Sequence, residues 1–533
     1  MSARLARWQA GSVRLSRQFT SPRKRLPSGL NIEGVAFPAY RRLAIWNSSF
    51  EILLPTIRKF AISNRQSAMH MIRNAIEKSI AGGLLAAVVF TTLAIGTVEA
   101  WSVAVFELIV VVLVLLWTTK AIIERRLEIT FTPAALPLGA FVLLALAQSI
   151  AITGSAGETR SLSMDVEATR GAAAMIFFLF VSFLIAVNFF DTPRRLRTLA
   201  NFLIVFGLAI AVFALVQHFT WEGKMFWFRS MPSAGGGLGG PFVNRNHFAG
   251  CMEMLIPIPA ALALSRAMRG EARLFCGFAA AIMSIAEVAS LSRGGMISLA
   301  SGLIFLAAML AWRRRDPSHP ERHSARGLRP AFVIMVILGA IAAGIIWIGA
   351  DFDVLKRITD EPLTTGMPTD RRGVWGDTLT MFEAHPMLGV GLGAFETVYP
   401  IYGRGDGTLL IEYAHNDYLQ VLSDAGVVGG ALALWFIIVV FRSVAAALKS
   451  RDALVSGFAL GGGAGIFAIL VHSLFDFNLQ IPSNSLLFLV LCAVVSGIGA
   501  KRMTRDENGG QNEGRRLVSG RKNKQQQAPP KLI

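Results

Sequence analysis

Five short polar groups stand at the ends of long apolar runs, and their residue types suit anion binding and acid–base chemistry. Asn244-Arg245-Asn246-His247 closes a glycine-rich stretch and opens an apolar run. If that run is a helix, its first free N–H groups and its dipole favour an anion. A simple capping role for Asn244 or Asn246 is the plainer reading of the same residues. Ser292-Arg293-Gly294-Gly295 forms a short turn between two apolar runs. An arginine there costs about 2.5–3.5 kcal/mol if drawn to a bilayer centre. It can escape to the headgroups, or a bound phosphate can offset that cost through two parallel hydrogen bonds. Thr369-Asp370-Arg371-Arg372-Gly373-Val374-Trp375, continuing to His385-Pro386, places two arginines where a helix would begin. Cations are disfavoured at that end, so a bound anion is expected beside Arg371 and Arg372, with Trp375 one turn on. His415-Asn416 is followed after nine residues by Gly426-Val427-Val428-Gly429. A neutral imidazole at His415 is a natural general base near neutral pH. The fifth group, His472 to Asn478, reads equally as a supporting network or as plain loop polarity.

These residues need elements to hold them, and composition says which kind. The 533 residues are 53% hydrophobic and only 16% charged, against about 25% charge in soluble domains. Mean hydropathy is +0.52. The apolar residues come in blocks of about twenty, enough to cross a hydrocarbon layer of ~30 Å as helix. Twelve spans are expected near 79–98, 101–119, 133–152, 171–190, 199–219, 248–267, 273–291, 294–312, 331–350, 426–448, 454–472 and 482–500. The fold class is therefore all-α: a polytopic transmembrane bundle of about twelve spans with one large outside loop at 351–425.

The net charge of +18 does not mark a nucleic-acid-binding surface. It lies in tails and in short loops between apolar blocks, which is a pattern of membrane orientation. With the N-terminus inside, the loops 120–132, 191–198, 268–272, 313–330 and 449–453 carry or adjoin clustered Lys and Arg. The outside loops 99–100 and 473–481 carry none. All five polar groups then fall on the outside face. Residues 1–78 form a basic segment, read either as a tail near anionic lipid or as sequence preceding a start at Met69 or Met71. Residues 501–533 read as a basic, disordered tail. Cys251, Cys276 and Cys492 all sit in apolar blocks, so no disulfide framework or zinc spacing arises. There is no H-E-x-x-H pattern, no Walker loop and no carboxylate pair of glycosidase spacing. The Gly389-Val390-Gly391-Leu392-Gly393 run is not set in a βαβ unit. No metal and no cofactor is expected. The outside face offers no ATP or nucleotide sugar, so chemistry there needs a substrate already activated on a lipid carrier.

Over roughly residues 80–500 the chain resembles the O-antigen ligase and polymerase superfamily of bacterial envelope glycosyltransferases. Asn244-Arg245-Asn246-His247 is similar to the family's Asn-x-Asn segment, and Ser292-Arg293-Gly294 to its Ser-Arg-Gly turn. Arg371 to Trp375 with His385 to Gly391 and Phe395 is similar to its Arg-x-x-x-Trp and Pro-x-x-Gly-x-Gly stretch. His415-Asn416-x9-Gly426-x-x-Gly429 resembles the ligase signature, and all four stand in family order. The resemblance implies a bacterial inner-membrane protein with both termini cytoplasmic and the active face periplasmic. It implies transfer of a glycan from undecaprenyl pyrophosphate to an acceptor hydroxyl, on lipid A–core or on a growing polysaccharide, without metal or nucleotide. Arg293 and Arg371 would hold the pyrophosphate, and His415 would orient or deprotonate the acceptor. Asn244, Asn246, His247, Arg372, Trp375 and Asn416 would bind substrate. Small hydroxyl residues often follow the last signature glycine in ligases, whereas Gly430-Ala431 follow here, so ligase and polymerase both stay open. Rival readings are a protein oligosaccharyltransferase, a transporter of lipid-linked sugars and a non-catalytic export scaffold. A transporter would carry charges near mid-span, and most charges here lie at span ends.

Overall fold

The structure is a computed structural model. It describes residues 68–153, 159–230, 238–265, 267–314, 371–404 and 410–500. Among the described residues ten helices are long and apolar enough to cross a membrane, and the chain is an all-α, multi-pass membrane protein. In chain order they begin with α1 (Ala68–Leu93) and α2 (Ala100–Glu124). The shorter apolar helix α3 (Ala135–Gln148) follows, then a two-stranded ribbon of β1 (Ala151–Thr153) and β2 (Thr159–Ser161). Next come α4 (Val166–Phe189) and α5 (Pro193–Phe219), and a small hairpin of β3 (Lys224–Met225) and β4 (Arg229–Ser230). One span is built from α6 (Arg245–Leu255) and α7 (Pro257–Leu264). Then follow α8 (Gly270–Ala289) and α9 (Arg293–Arg314). Within the expected 351–425 loop stand α10 (Arg371–Ala384) and α11 (Phe395–Tyr402). The last spans are α12 (Asp417–Leu448), α13 (Ala453–His472) and α14 (Pro482–Ala500). Of the twelve expected spans, the one at 133–152 is the 14-residue α3, and the one at 331–350 lies outside the described residues. So do the expected helix cap at Thr369-Asp370, most of the basic segment 1–78 and the tail 501–533.

Helix α1 begins at Ala68, ahead of the apolar run expected from 79. Its added turns mix apolar residues with Arg73, Glu77 and Lys78, and ion pairs tie them to neighbouring helices. Glu77 faces Lys120 at 3.4 Å and pairs with Arg195, and Lys120 also meets Glu124 at 2.9 Å. This charged cluster joins the start of α1, the end of α2 and the start of α5. It therefore marks the bundle end opposite to the C-terminus of α5.

The centre of the bundle is the α6–α7 span with α13 and α14. In the most apolar window of Arg245–Leu264, 94% of residues are buried inside the protein, against 22% for α2, which faces outward. A stripe of small residues brings these central helices together. Gly457, Gly461 and Gly465 recur every fourth residue on one side of α13. A Cβ on Gly465 would lie 2.4 Å from the Met254 carbonyl oxygen, and one on Gly461 would lie 2.6 Å from Ile258 Cα. Between lipid-soluble helices, close packing and hydrogen bonds replace the hydrophobic effect, and small residues permit it. That approach sets the C-terminus of α13 beside the N-terminus of α6.

A second joint fixes α10 and α11. Helix α12 breaks at Gly426, whose φ of 63° and ψ of −164° are not helical. The segment 386–393 crosses the break as a series of turns, with Gly389, Gly391 and Gly393 all at positive φ. Val427 N donates to Pro386 O (2.8 Å), Val390 N to Ser423 O (2.9 Å) and Gly391 N to Asp424 O (3.0 Å). Cβ atoms on Gly389 or Gly426 would each lie 2.3 Å from the other segment's backbone. Gln148 at the end of α3 binds both sides, donating to Leu388 O (2.7 Å) and Asp424 O (3.1 Å) and accepting from Leu392 N (3.2 Å). The two glycine-rich motifs seen in the sequence are thus the halves of one backbone-to-backbone joint.

Candidate functional site

Four span ends converge at one end of the bundle: the N-termini of α6, α9 and α12 and the C-terminus of α13. Asn244 caps α6 by accepting from Asn246 N at 2.9 Å. Ser292 accepts from Gly295 N (3.2 Å) in the first turn of α9, and its hydroxyl donates to Asn246 Oδ1 at 2.8 Å. Arg293 is the first residue of α9 and half-buried. Asn416 caps α12 by accepting from Tyr418 N (3.0 Å) and Leu419 N (3.1 Å), and it donates to Leu474 O at 3.1 Å.

The hub is Asp476, in the turn after α13, with its side chain 1% exposed. Asn246 donates to its Oδ2, and Phe477 N donates to its Oδ1 at 2.9 Å. His415 Nδ1 lies 3.5 Å from Oδ1, and Arg371 Nη2 lies 3.9 Å from Oδ2. Arg371, at the start of α10, also donates through Nη1 to Phe475 O at 2.6 Å. Burial works to raise the Asp476 pKa. The hydrogen bond with His415 and the charges of His247, Arg371 and His415 outweigh it and hold the carboxyl well below the usual range. The ring of His415 meets Phe477 edge-on, with centroids 4.9 Å apart, and Tyr413 stacks on the same Phe477 at 4.5 Å. Burial, then the nearby Glu412, Glu396 and Asp424, push the Tyr413 hydroxyl up to about 12. It therefore remains protonated near neutral pH and is no rival to His415 as a base.

His415 adopts a left-handed backbone with φ 50°, uncommon for a residue with a Cβ. Its neighbours hold it there. Ala414 N donates to Gln420 Oε1 at 2.8 Å. Asp417 stitches the start of α12 to the 473–480 turn, accepting from Ser473 Oγ (2.8 Å), Leu479 N (3.1 Å) and Gln480 Nε2 (3.4 Å). With Nδ1 facing the carboxylate, Nε2 of His415 is the ring nitrogen left for a substrate, an arrangement that fixes tautomer and orientation.

The structure thus brings Asn246, Arg371 and His415 together on one carboxylate, with Asn244, Arg293 and Asn416 at the adjoining helix starts. His247 is buried with its ring edge on Phe477 at 4.9 Å, and its Nε2 has no partner among the described residues. Trp375 is half-buried one turn beyond Arg371, and its indole N–H likewise has none. Arg372 lies on the exposed side of α10. Asp476 and Phe477 were visible in the sequence only as members of an undecided polar group, and Asp417 and Gln148 carried no signal. Behind the site, His472 Nδ1 meets Glu253 Oε2 at 3.0 Å, both fully buried. Gly294 is needed beside that pair, since a Cβ there would lie 2.8 Å from His472 Nε2. Among the described residues no three His, Cys, Asp or Glu side chains converge as a metal site would require.

In comparison with known families, residues 278–434 fit the family model described as O-antigen ligase. That match supports the O-antigen ligase superfamily and an O-antigen ligase-like activity. It spans α9, α10, α11, the joint, His415 and the first half of α12. No curated protein matches the chain.

Proposed function

With the O-antigen ligase match as premise, we propose that the chain is an inner-membrane glycan transferase. It would move a glycan from an undecaprenyl-pyrophosphate carrier to an acceptor hydroxyl, such as one on lipid A–core, at the periplasmic face. The observation that carries this reading is the convergence of Arg371, His415 and Asn246 on the buried Asp476, beside the Arg293 turn. In this scheme His415 Nε2 takes the proton of the acceptor hydroxyl while Asp476 steadies the imidazolium that forms. The acceptor oxygen bonds to the anomeric carbon. The bond from that carbon to the phosphate oxygen breaks, and its electron pair leaves on undecaprenyl pyrophosphate. Arg371 and Arg293 stabilise the charge gathering on that leaving group, and preorganised cations in a water-poor site do this with little reorganisation. Phe475 O fixes one side of the Arg371 guanidinium and so aims the other. Asn244 and Asn416 act through the helix starts they cap. His247, Arg372 and Trp375 line the approach for donor or acceptor.

Purified protein supplied with the lipid-linked glycan and lipid A–core, and separately with two donor equivalents and no other acceptor, tests the reading. Glycan on lipid A–core supports the ligase. Longer lipid-linked chains without that product would replace it with a polymerase. No product from either mixture, with substrates matched to the source organism, would favour transport or scaffolding.

A further inference from the structure

The loop between α5 and α6 contains a feature that glycan transfer does not use. β3 and β4 pair antiparallel, Lys224 with Ser230 and Met225 with Arg229. Three aromatic residues make the tip: Phe226, Trp227 and Phe228. Phe226 and Trp227 both have left-handed backbones, with φ of 54° and 63°, a conformation that bulky side chains rarely adopt. Phe228 is 77% exposed and Trp227 46%. A loop surrounded by water gains nothing from three such residues.

The tip folds back along α5 rather than away from it. Phe213 lies against both Phe226 (ring centroids 5.3 Å apart) and Trp227 (5.8 Å). Phe213 precedes the helix end at Phe219 by six residues, about 9 Å along the axis. The rings therefore hang beside the penultimate turns of a spanning helix. On this helix Val205, Val212, Val216 and Phe219 are exposed at helical spacing, which is its lipid-facing stripe. Phe226 and Phe228 stack at 6.1 Å and extend that apolar surface sideways. The polar edges fit the level above. Trp227 Nε1 donates to Thr220 Oγ1 at 2.8 Å, Lys224 at the hairpin base is exposed, and Arg229 pairs with Glu99 at the α1–α2 turn. Aromatic rings below and basic groups above match the boundary between acyl chains and phosphates. Gln217 ties the hairpin to the site. It accepts from Phe226 N (2.8 Å) and donates to Gly240 O (3.1 Å), four residues before the Asn244 cap.

We propose that the Lys224–Ser230 hairpin is a lipid-binding wedge. Its Phe226-Trp227-Phe228 tip inserts among the acyl chains of the leaflet on the site's side, and its occupant is bulk membrane phospholipid. Seated there, it fixes through Gln217 the loop that delivers Asn244 and Asn246. The inference stands whether or not the chain transfers glycans.

Single cysteines at position 228 (Phe228→Cys), at 219 on the lipid-facing stripe (Phe219→Cys) and at 396 on the exposed side of α11 (Glu396→Cys) test it. The three native cysteines are buried, so a bimane label reports the introduced one. The labelled proteins go into nanodiscs of phosphatidylglycerol and phosphatidylethanolamine, with or without bromine atoms on the acyl chains. Each variant must first show the unfolding temperature of the unsubstituted chain. Brominated chains are expected to quench position 228 at least half as strongly as position 219, with little quenching at 396. Quenching at 228 no greater than at 396 would overturn the proposal.

Discussion

At Asp476 a fully buried carboxylate accepts from Asn246 and from Phe477 N while His415 and Arg371 face it. Its carboxyl is held below its ordinary value of 3.8. A depressed folded-state value means that the stabilisation is fully present above about pH 4 and is lost as pH falls from there toward the folded value. Thermal unfolding followed from pH 6 to pH 3 should show the unsubstituted protein losing stability below about pH 4. Asp476→Asn should start from a lower transition and fall less over that window, and an equally steep fall in both would refute the linkage. Arg371 allows a kinetic prediction. Its Nη1 is anchored on Phe475 O. The ammonium introduced by Arg371→Lys would keep the charge yet be unable to hold that carbonyl and a phosphate in one plane. The KM for donor should rise about tenfold, the worth of one charge-assisted hydrogen bond, and an unchanged KM would count against phosphate binding there.

The elements explain which parts of this arrangement a sequence can disclose. Apolar runs of twenty residues announce spans because lipid demands them, and the central and peripheral helices were both legible this way. The start of α1 was not, because ion pairs with Lys120 and Arg195 anchor turns whose charges interrupt the apolar run. Asn244 could be read as a cap from its type and place. The glycines at 389 and 426 stood in the sequence as two separate motifs, since nothing local shows that positions 37 apart share a joint. Asp476 was obscure for the same reason: its partners lie at 246, 371 and 415. The joint itself is testable. Gly426→Ala forces a Cβ into a left-handed residue 2.3 Å from the Met387 backbone and should cost at least about 1–3 kcal/mol. Gly430→Ala, where a Cβ meets only the Leu422 side-chain tip at 2.9 Å, should be close to neutral. Chemical or thermal unfolding of the two variants separates them, and equal losses would contradict the role assigned to the joint.

Over the whole molecule, two polar assemblies lie at opposite ends of an apolar bundle. One is the ion-paired cluster of Glu77, Lys120 and Arg195, and the other is the Asp476 hub with its arginines and histidine. If the second faces the periplasm, a membrane-impermeant maleimide on intact cells, with the outer membrane permeabilised, should label Glu396→Cys and leave Arg126→Cys unlabelled. The reverse pattern would invert the proposed topology. The central claim is that the Asp476-centred cluster performs transfer. The most direct measurement is the transfer rate in nanodiscs of the unsubstituted protein, His415→Ala and Arg371→Ala, with EDTA present and equal unfolding temperatures verified. Loss of a positioned general base should slow His415→Ala by about 10²–10⁴-fold, and loss of the guanidinium should slow Arg371→Ala by a comparable factor. Both variants turning over at the unsubstituted rate would contradict the account.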